Sequence, residues 1–170
     1  MRADLFQPSD EAEARILLLI EAFSRGSHVL EGRTKLAKLD FFLRYPSYLR
    51  RALEIRRKPV GDLDEDAPDL ETRMVRYRYG PWDPSFYAVL GRLIGKRLVD
   101  PVPSKRGIAF RVTDRGRELA QAIASEPVWE ETNDRLDLLR RHLNLKGTTL
   151  KNFIYDNFPE VTNASWGDSL

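Results

Sequence analysis

The residue types that most enzymes rely on are scarce in this chain, and each arrangement that imitates a reactive site breaks at a specific position. His28 and His142 are the only imidazoles among 170 residues and cysteine is absent. Disulfide and thiolate chemistry are therefore excluded, and a zinc site would have to be mostly carboxylate, an uncommon donor set. Asp62, Asp64 and Asp66 imitate the first half of a calcium loop, but Ala67 stands where the turn needs glycine and Arg73 where a bidentate glutamate is needed. Gly91 to Arg97 reads Gly-Arg-Leu-Ile-Gly-Lys-Arg, one spacer short of a P-loop and without the Ser or Thr that holds magnesium. No Ser or Thr has a His and carboxylate relay near it in sequence. The expectation is a chain with no catalytic residue, no metal and no cofactor, which binds rather than reacts.

What the side chains can do is attract a polyanion. The formal charge of +2 conceals segregation into blocks. From Arg33 to Lys58 nine bases stand against Asp40 and Glu54, and from Arg73 to Arg117 eleven bases stand against Asp83, Asp100 and Asp114. Between them Asp62, Asp64, Glu65, Asp66, Asp69 and Glu71 form an acidic hinge without a base. Two basic blocks around such a hinge suit nucleic-acid phosphates, and solvated faces of ordinary helices produce the same pattern.

The elements that must position these charges follow from local signals. Tyr79-Gly80-Pro81-Trp82 makes a turn, and Asp83-Pro84 supplies an acidic cap with proline at a first helical position, so a helix is predicted to begin near Pro84. Phe86, Leu90, Leu93 and Ile94 fall on its apolar face, with Arg92 and Lys96 on another. Pro101, Pro103 and Gly107 bracket Ser104, Lys105 and Arg106 between the apolar runs Leu98 to Val102 and Ile108 to Val112, the pattern of a hairpin with a basic tip. Thr113 or Asp114 caps a further helix through Ala124, with Leu119, Ala122 and Ile123 as its buried side. Turn, amphipathic helix, basic hairpin and capped helix together read as a winged helix. Arg92, Lys96, Arg97, Lys105, Arg106 and Arg111, with Ser85, are then candidates for DNA contact. Few Asn, Gln or Ser side chains are offered for base edges, so attraction to phosphates is the expected mode. The aromatic density at the turn (Tyr77, Tyr79, Trp82, Phe86, Tyr87) favours instead a protein-docking platform.

The flanks are helical. Ser9 or Asp10 caps a first helix carrying Ile16, Leu19, Ile20 and Phe23 and ending at Gly26. A second, about Thr34 to Arg44, turns Leu36, Leu39 and Leu43 inward and Lys35 and Lys38 outward; Tyr45-Pro46 breaks it, and Pro46 opens a third that ends before Pro59 and Gly61. Glu71 to Tyr79 alternates with a period of two, predicting a strand beside the wing hairpin. Gly91 and Gly95 with Ala88 make a smooth helical face for a core helix or a partner to approach. From Pro127 to Asn144, Trp129, Thr132, Leu136, Leu139 and Leu143 form a seam of the coiled-coil type, which needs either this chain's body or another chain against it. A last helix holds Leu150, Phe153, Ile154 and Phe158 and ends at Pro159. Trp166 stands in a polar tail, as anchors on this chain or another often do. No apolar run approaches the roughly 20 residues needed to span a bilayer and Met1 to Pro8 has no signal-peptide core, so no membrane association and a cytoplasmic location are expected.

Three segments carry a resemblance: Leu30 to Pro46 (Leu-Glu-Gly-Arg-Thr-Lys-Leu-Ala-Lys-Leu-Asp-Phe-Phe-Leu-Arg-Tyr-Pro), the turn Tyr79 to Trp82, and Leu150 to Val161 (Leu-Lys-Asn-Phe-Ile-Tyr-Asp-Asn-Phe-Pro-Glu-Val). They resemble the middle components of bacterial three-component ABC systems, in which a small winged-helix protein accompanies an SMC-like or Rad50-like ATPase and an effector; Lamassu-type antiphage defence is the nearest likeness. The resemblance implies a non-catalytic subunit that bridges ATPase and effector and helps sense or clamp DNA. Tyr79, Trp82, Trp129, Phe153, Tyr155 and Trp166 are the candidates for partner contact. The expectation is thus an α+β, mostly helical winged-helix domain with additional N- and C-terminal helices: residues 1–58 as the N-terminal helical part of the core, 59–70 as the acidic linker, 71–125 as strand, recognition-type helix, wing and capped helix, and 126–170 as a helical extension and tail. The alternative is a homodimeric winged-helix transcriptional regulator.

Overall fold

In the computed structural model, residues 8–63, 75–77, 80–165 and 168 are described, with 75–77, 80 and 82 described in backbone only. The chain is a mixed α/β protein, mostly helical. Helix α1 (Asp10–Phe23) starts where Ser9 Oγ accepts the Ala12 N–H at 3.1 Å, and Asp10, Glu11 and Glu13 complement its positive end. It is buried nearly all round, Ile16, Leu17, Leu19 and Ile20 together with Glu13 and Arg15, because it is packed on several sides. Strand β1 (Leu30–Glu31), α2 (Arg33–Arg44) and α3 (Pro46–Ile55) follow; then the short strands β2 (Val75–Tyr77) and β3 (Gly80–Trp82), α4 (Phe86–Gly95), the strands β4 (Val99–Ser104) and β5 (Gly107–Val112), and α5 (Asp114–Ala124). A 3-10 turn (Pro127–Trp129) leads into α6 (Glu130–His142), α7 (Gly147–Asn157) and α8 (Pro159–Thr162). α1 touches α2, α4, α5, α6 and β5, and so forms the centre of the core.

Strands β1, β5 and β4 form an antiparallel sheet in that order, with Leu30 opposite Phe110 and Val99 opposite Val112. Ser104 faces Gly107, so Lys105-Arg106 is a two-residue turn, and Gly107 takes the positive φ of +111°. The strand beside this hairpin is therefore β1 and not the segment expected from Glu71 to Tyr79. The described part of that segment, β2, pairs with β3, Val75 lying opposite Trp82; the turn read at Gly80-Pro81-Trp82 is itself extended. The remainder of 71–79, and most of the acidic hinge, lies outside the described residues.

Four further expectations change. Lys38 does not point outward: it is 2% exposed and donates from Nζ to the Pro81 carbonyl at 3.4 Å, tying α2 to β3. α4 begins at Phe86 rather than Pro84, because Asp83 to Ser85 form a separate turn with the Phe86 N–H on the Asp83 carbonyl. α7 stops at Asn157, and Pro159 opens α8 instead of ending the helical run. On α5 the buried residues are Gly116 and Ala120, while Leu119 is 41% exposed, Ala122 is exposed and Ile123 is half-buried. Gly116 explains the rotation. A Cβ built on it would lie 2.0 Å from the Leu98 carbonyl oxygen, so α5 rests its glycine directly on the chain leading into β4. Thr113 locks that approach, its hydroxyl donating to the Arg97 carbonyl at 2.7 Å and accepting the Gly116 N–H at 2.9 Å. Gly116→Ala is expected to destabilise by about 1–3 kcal/mol through overpacking, read as a lower urea midpoint at unchanged slope. Unaltered stability would contradict this contact.

The seam on α6 is spent within the chain. Thr132, Leu136, Leu139 and Leu143 are all buried, and α6 packs on α1 and α2. Arg135, 1% exposed, reinforces the docking by donating from Nη1 to the Leu43 carbonyl at 3.3 Å near the negative end of α2, while Nη2 reaches Glu131 at 2.6 Å. α4 is held by a buried charge cluster. Arg15 Nε meets Asp40 Oδ1 at 2.8 Å, and Arg44 Nη1 meets Asp83 Oδ2 at 2.8 Å and Asp40 Oδ2 at 3.7 Å. Asp83 uses its other oxygen for the Ser85 N–H at 2.7 Å and the Ser85 hydroxyl at 2.8 Å. Two arginines and two aspartates, each under 5% exposed, thus join α1, α2 and the turn that launches α4. Such ions are tolerable in the interior only because each is paired and hydrogen-bonded.

Candidate nucleic-acid interface

The six cations expected to meet DNA fall on three separate surfaces. Arg92 and Lys96 project from α4 with their side chains about half exposed, yet both pair with Glu13 of α1: Lys96 Nζ lies 2.8 Å from Oε1 and Arg92 Nη1 3.7 Å from Oε2. Glu13 is 6% exposed, so α4 carries charge already committed to the core's edge. Ser85 is buried and donates to Asp83, which removes it from any groove-facing role. Arg97 is exposed just past α4 with a left-handed φ of +58°, a conformation unusual for a residue with a Cβ. Arg111 is exposed on β5 opposite Asp100, an opposite-charge neighbour across the ladder.

Lys105 and Arg106 occupy the tip of the β4–β5 hairpin, exposed as expected. They do not stand alone. The hairpin leans over a cleft of about 600 Å³ whose other walls are the start of α2, with Arg33, Thr34 and Lys35, and the start of α7, with Lys146 and Thr148. Glu31 is its one acidic lining residue. Lys35 is half-buried, donating to Asn144 Oδ1 at 2.6 Å with its ammonium 5.6 Å from the centre of the Phe23 ring. Burial lowers its pKa below the ordinary lysine value, against the pull of Glu31. Arg33 lies 5.7 Å from the Tyr87 ring centre. Sequence reasoning placed Arg33 and Lys35 in a basic block and Gly147-Thr148 at a helix start but had no means of joining them to the wing, because the segments lie far apart along the chain.

The partner candidates divide similarly. Phe153 is half-buried, its ring 5.9 Å from Phe158 and 6.4 Å from Phe42 in an aromatic cluster that includes Tyr48. Tyr155 is also half-buried. Trp129 packs partly against the core and borders an apolar hollow with Ala14 and Val128, the latter 82% exposed. Tyr79 and Trp166 lie outside the described residues, and Trp82 is described only as backbone in β3. On α4, Ala88, Gly91 and Gly95 face solvent, and a Cβ on either glycine would meet nothing within 4 Å, so none of the described helices packs on that smooth face.

Among the described residues no group of three or more His, Asp or Glu is placed to hold a metal ion, and no helix is long and apolar enough to cross a membrane. Comparison with protein-family models, with curated proteins and with solved structures finds no match to this chain.

Proposed function

We propose that the chain is a non-catalytic winged-helix accessory subunit that bridges an SMC-like ATPase and an effector in a bacterial antiphage defence complex sensing DNA. The observation that carries the reading is topological. α1, β1, α2, α4 and the β4–β5 hairpin follow one another as the parts of a winged helix would, with the sheet ordered β1-β5-β4 and a basic turn at the hairpin tip. α3 and the β2–β3 pair are then an insertion between the two helices of the helix-turn-helix, and α6 to α8 an extension whose α6 and α7 pack on α2 and whose α8 packs on α7 and β3. The resemblance noted for Leu30 to Pro46 and Leu150 to Val161 concerns segments that meet in space, since α7 packs along α2. That adjacency favours one composite unit over an appended tail.

The regulator reading loses its most evident dimerisation device, because the α6 seam is buried in the chain itself. Its base readers are also few, since α4 presents Tyr87, Gly91, Arg92 and Gly95 outward and no Asn or Gln, and Arg92 is paired with Glu13. Two measurements separate the readings. A subunit co-purifies with the ATPase and effector encoded beside it and binds duplex DNA weakly alone without sequence preference. A regulator binds one defined duplex tightly by itself, typically 10³-fold or more over unrelated DNA, and that result would overturn the proposal.

A further inference from the structure

We propose that the cleft between the wing turn and the adjoining starts of α2 and α7, rather than the exposed face of α4, is where the chain grips the phosphate backbone of duplex DNA. The inference rests on the reading of the protein as a DNA-contacting subunit and names the surface that makes the contact.

Availability of charge decides between the two surfaces. Arg33, Lys105, Arg106 and Lys146 are exposed, and none forms an ion pair among the described residues. Arg92 and Lys96 share Glu13, and turning them to a phosphate would strand a carboxylate that is 6% exposed. Leaving such a group without its counter-charge is the expensive outcome for a buried pair. The cleft cations carry no such penalty.

The backbone contributes in the same direction. α1 and α5 begin with the side-chain caps Ser9 and Thr113 and acidic first turns. α2 and α7, like α3 and α4, begin with neither: no side-chain cap bonds their first N–H groups and no acid stands in their first turns. These two ends are also neighbours, because a Cβ built on Gly147 would lie 2.9 Å from the backbone nitrogen of Lys35. Two positive helix ends therefore add their dipoles to the cationic side chains at one concave place. Thr34 and Thr148 add hydroxyls of the kind that bond phosphate oxygens, and no Asn or Gln lines the cleft. A site so built recognises a backbone and ignores sequence, which suits a sensor of DNA as such.

The test uses the full chain and a labelled duplex titrated by fluorescence anisotropy across about 50–200 mM salt. The double variant Lys105→Gln with Lys146→Gln is expected to lower the slope of log affinity against log salt by about two, one unit for each phosphate contact removed. Arg92→Gln with Arg97→Gln, which leaves Lys96 on Glu13, is expected to keep the wild-type slope. The reverse pattern would overturn the proposal, and so would a wild-type chain that fails to bind duplex at the lowest salt. Inorganic pyrophosphate competing at concentrations comparable to the duplex would also reject it, as the mark of a small-anion pocket. The accessory-subunit reading is judged separately: Lys105→Gln with Lys146→Gln is expected to retain co-purification with the ATPase. A chain whose cleft binds DNA but which never joins that complex would sink the subunit reading and leave the cleft standing.

Discussion

Asp83→Ala is expected to cost about 3–5 kcal/mol of folding stability, the range for breaking a buried ion pair from one side. Arg44 is 0% exposed and meets Asp83 Oδ2 at 2.8 Å and Asp40 Oδ2 at 3.7 Å, so removing the Asp83 side chain takes a close counter-charge from a fully buried guanidinium. The truncation also strips the Ser85 N–H and hydroxyl of their acceptor at the turn that starts α4. Surface pairs such as Arg50 with Glu54 or Arg140 with Asp137, both partly exposed, give the scale for comparison, since exposed pairs contribute about 0–1 kcal/mol. Asp83→Asn keeps an oxygen for Ser85 while removing the charge, so its loss should fall between wild type and Asp83→Ala. Urea denaturation at unchanged slope reads all three. A loss for Asp83→Ala no greater than that of a surface pair would mean that the cluster does not hold α4 in place.

Phe158→Ala carries a second large effect, about 3–5 kcal/mol for deleting a buried aromatic ring. Phe158 is fully buried between elements: its ring lies 6.1 Å from Phe42 of α2 and 5.2 Å from Tyr48 of α3, both edge-on, with the Arg51 guanidinium 4.8 Å from its centre. This cluster fastens the end of α7 to the α2–α3 corner. Loosening it weakens the docking of α7 on α2, which the buried Leu150 and Ile154 also maintain and which holds Lys146 and one wall of the cleft in place. The salt slope of DNA binding is therefore expected to fall by about one, the Lys146 contact, while the wing cations persist. Thermal unfolding by circular dichroism and the anisotropy titration together check it. A destabilised variant that binds duplex with the wild-type slope would remove α7 from the DNA surface.

These two predictions also mark where reading the chain from its residues succeeds and where it stops. Ser9 as a cap, Pro46 as a helix opener, the Lys105-Arg106 turn and the Thr113 cap are local signals, carried within a few residues and independent of what lies across the core. The sheet's third strand was less accessible, because β1 is two residues long, too short for a period of two to register in the sequence. Charge was misread most. Lys38 and Arg44 belonged to a basic block when counted by type, whereas their fate depends on Pro81 and Asp83, the latter 39 positions from Arg44. Likewise Lys96 finds Glu13 across 83 positions, which turns a cation expected to face DNA into one half of an ion pair. Leu119 misled for another reason: hydropathy favoured burying it, but the close approach at Gly116 fixed the rotation of α5 and left Leu119 outside. The cleft is legible only in three dimensions, since Lys35 and Asn144 bond across 109 positions.

The most direct test of the central claim is co-expression of the tagged full chain with the products of its neighbouring genes, which the proposal expects to include an SMC-like ATPase and an effector, followed by affinity capture and size-exclusion chromatography. The account predicts one complex containing all three proteins, with the ATPase and effector failing to associate when this chain is omitted. Elution of the chain alone as a homodimer, with its neighbours assembling without it, would contradict the account.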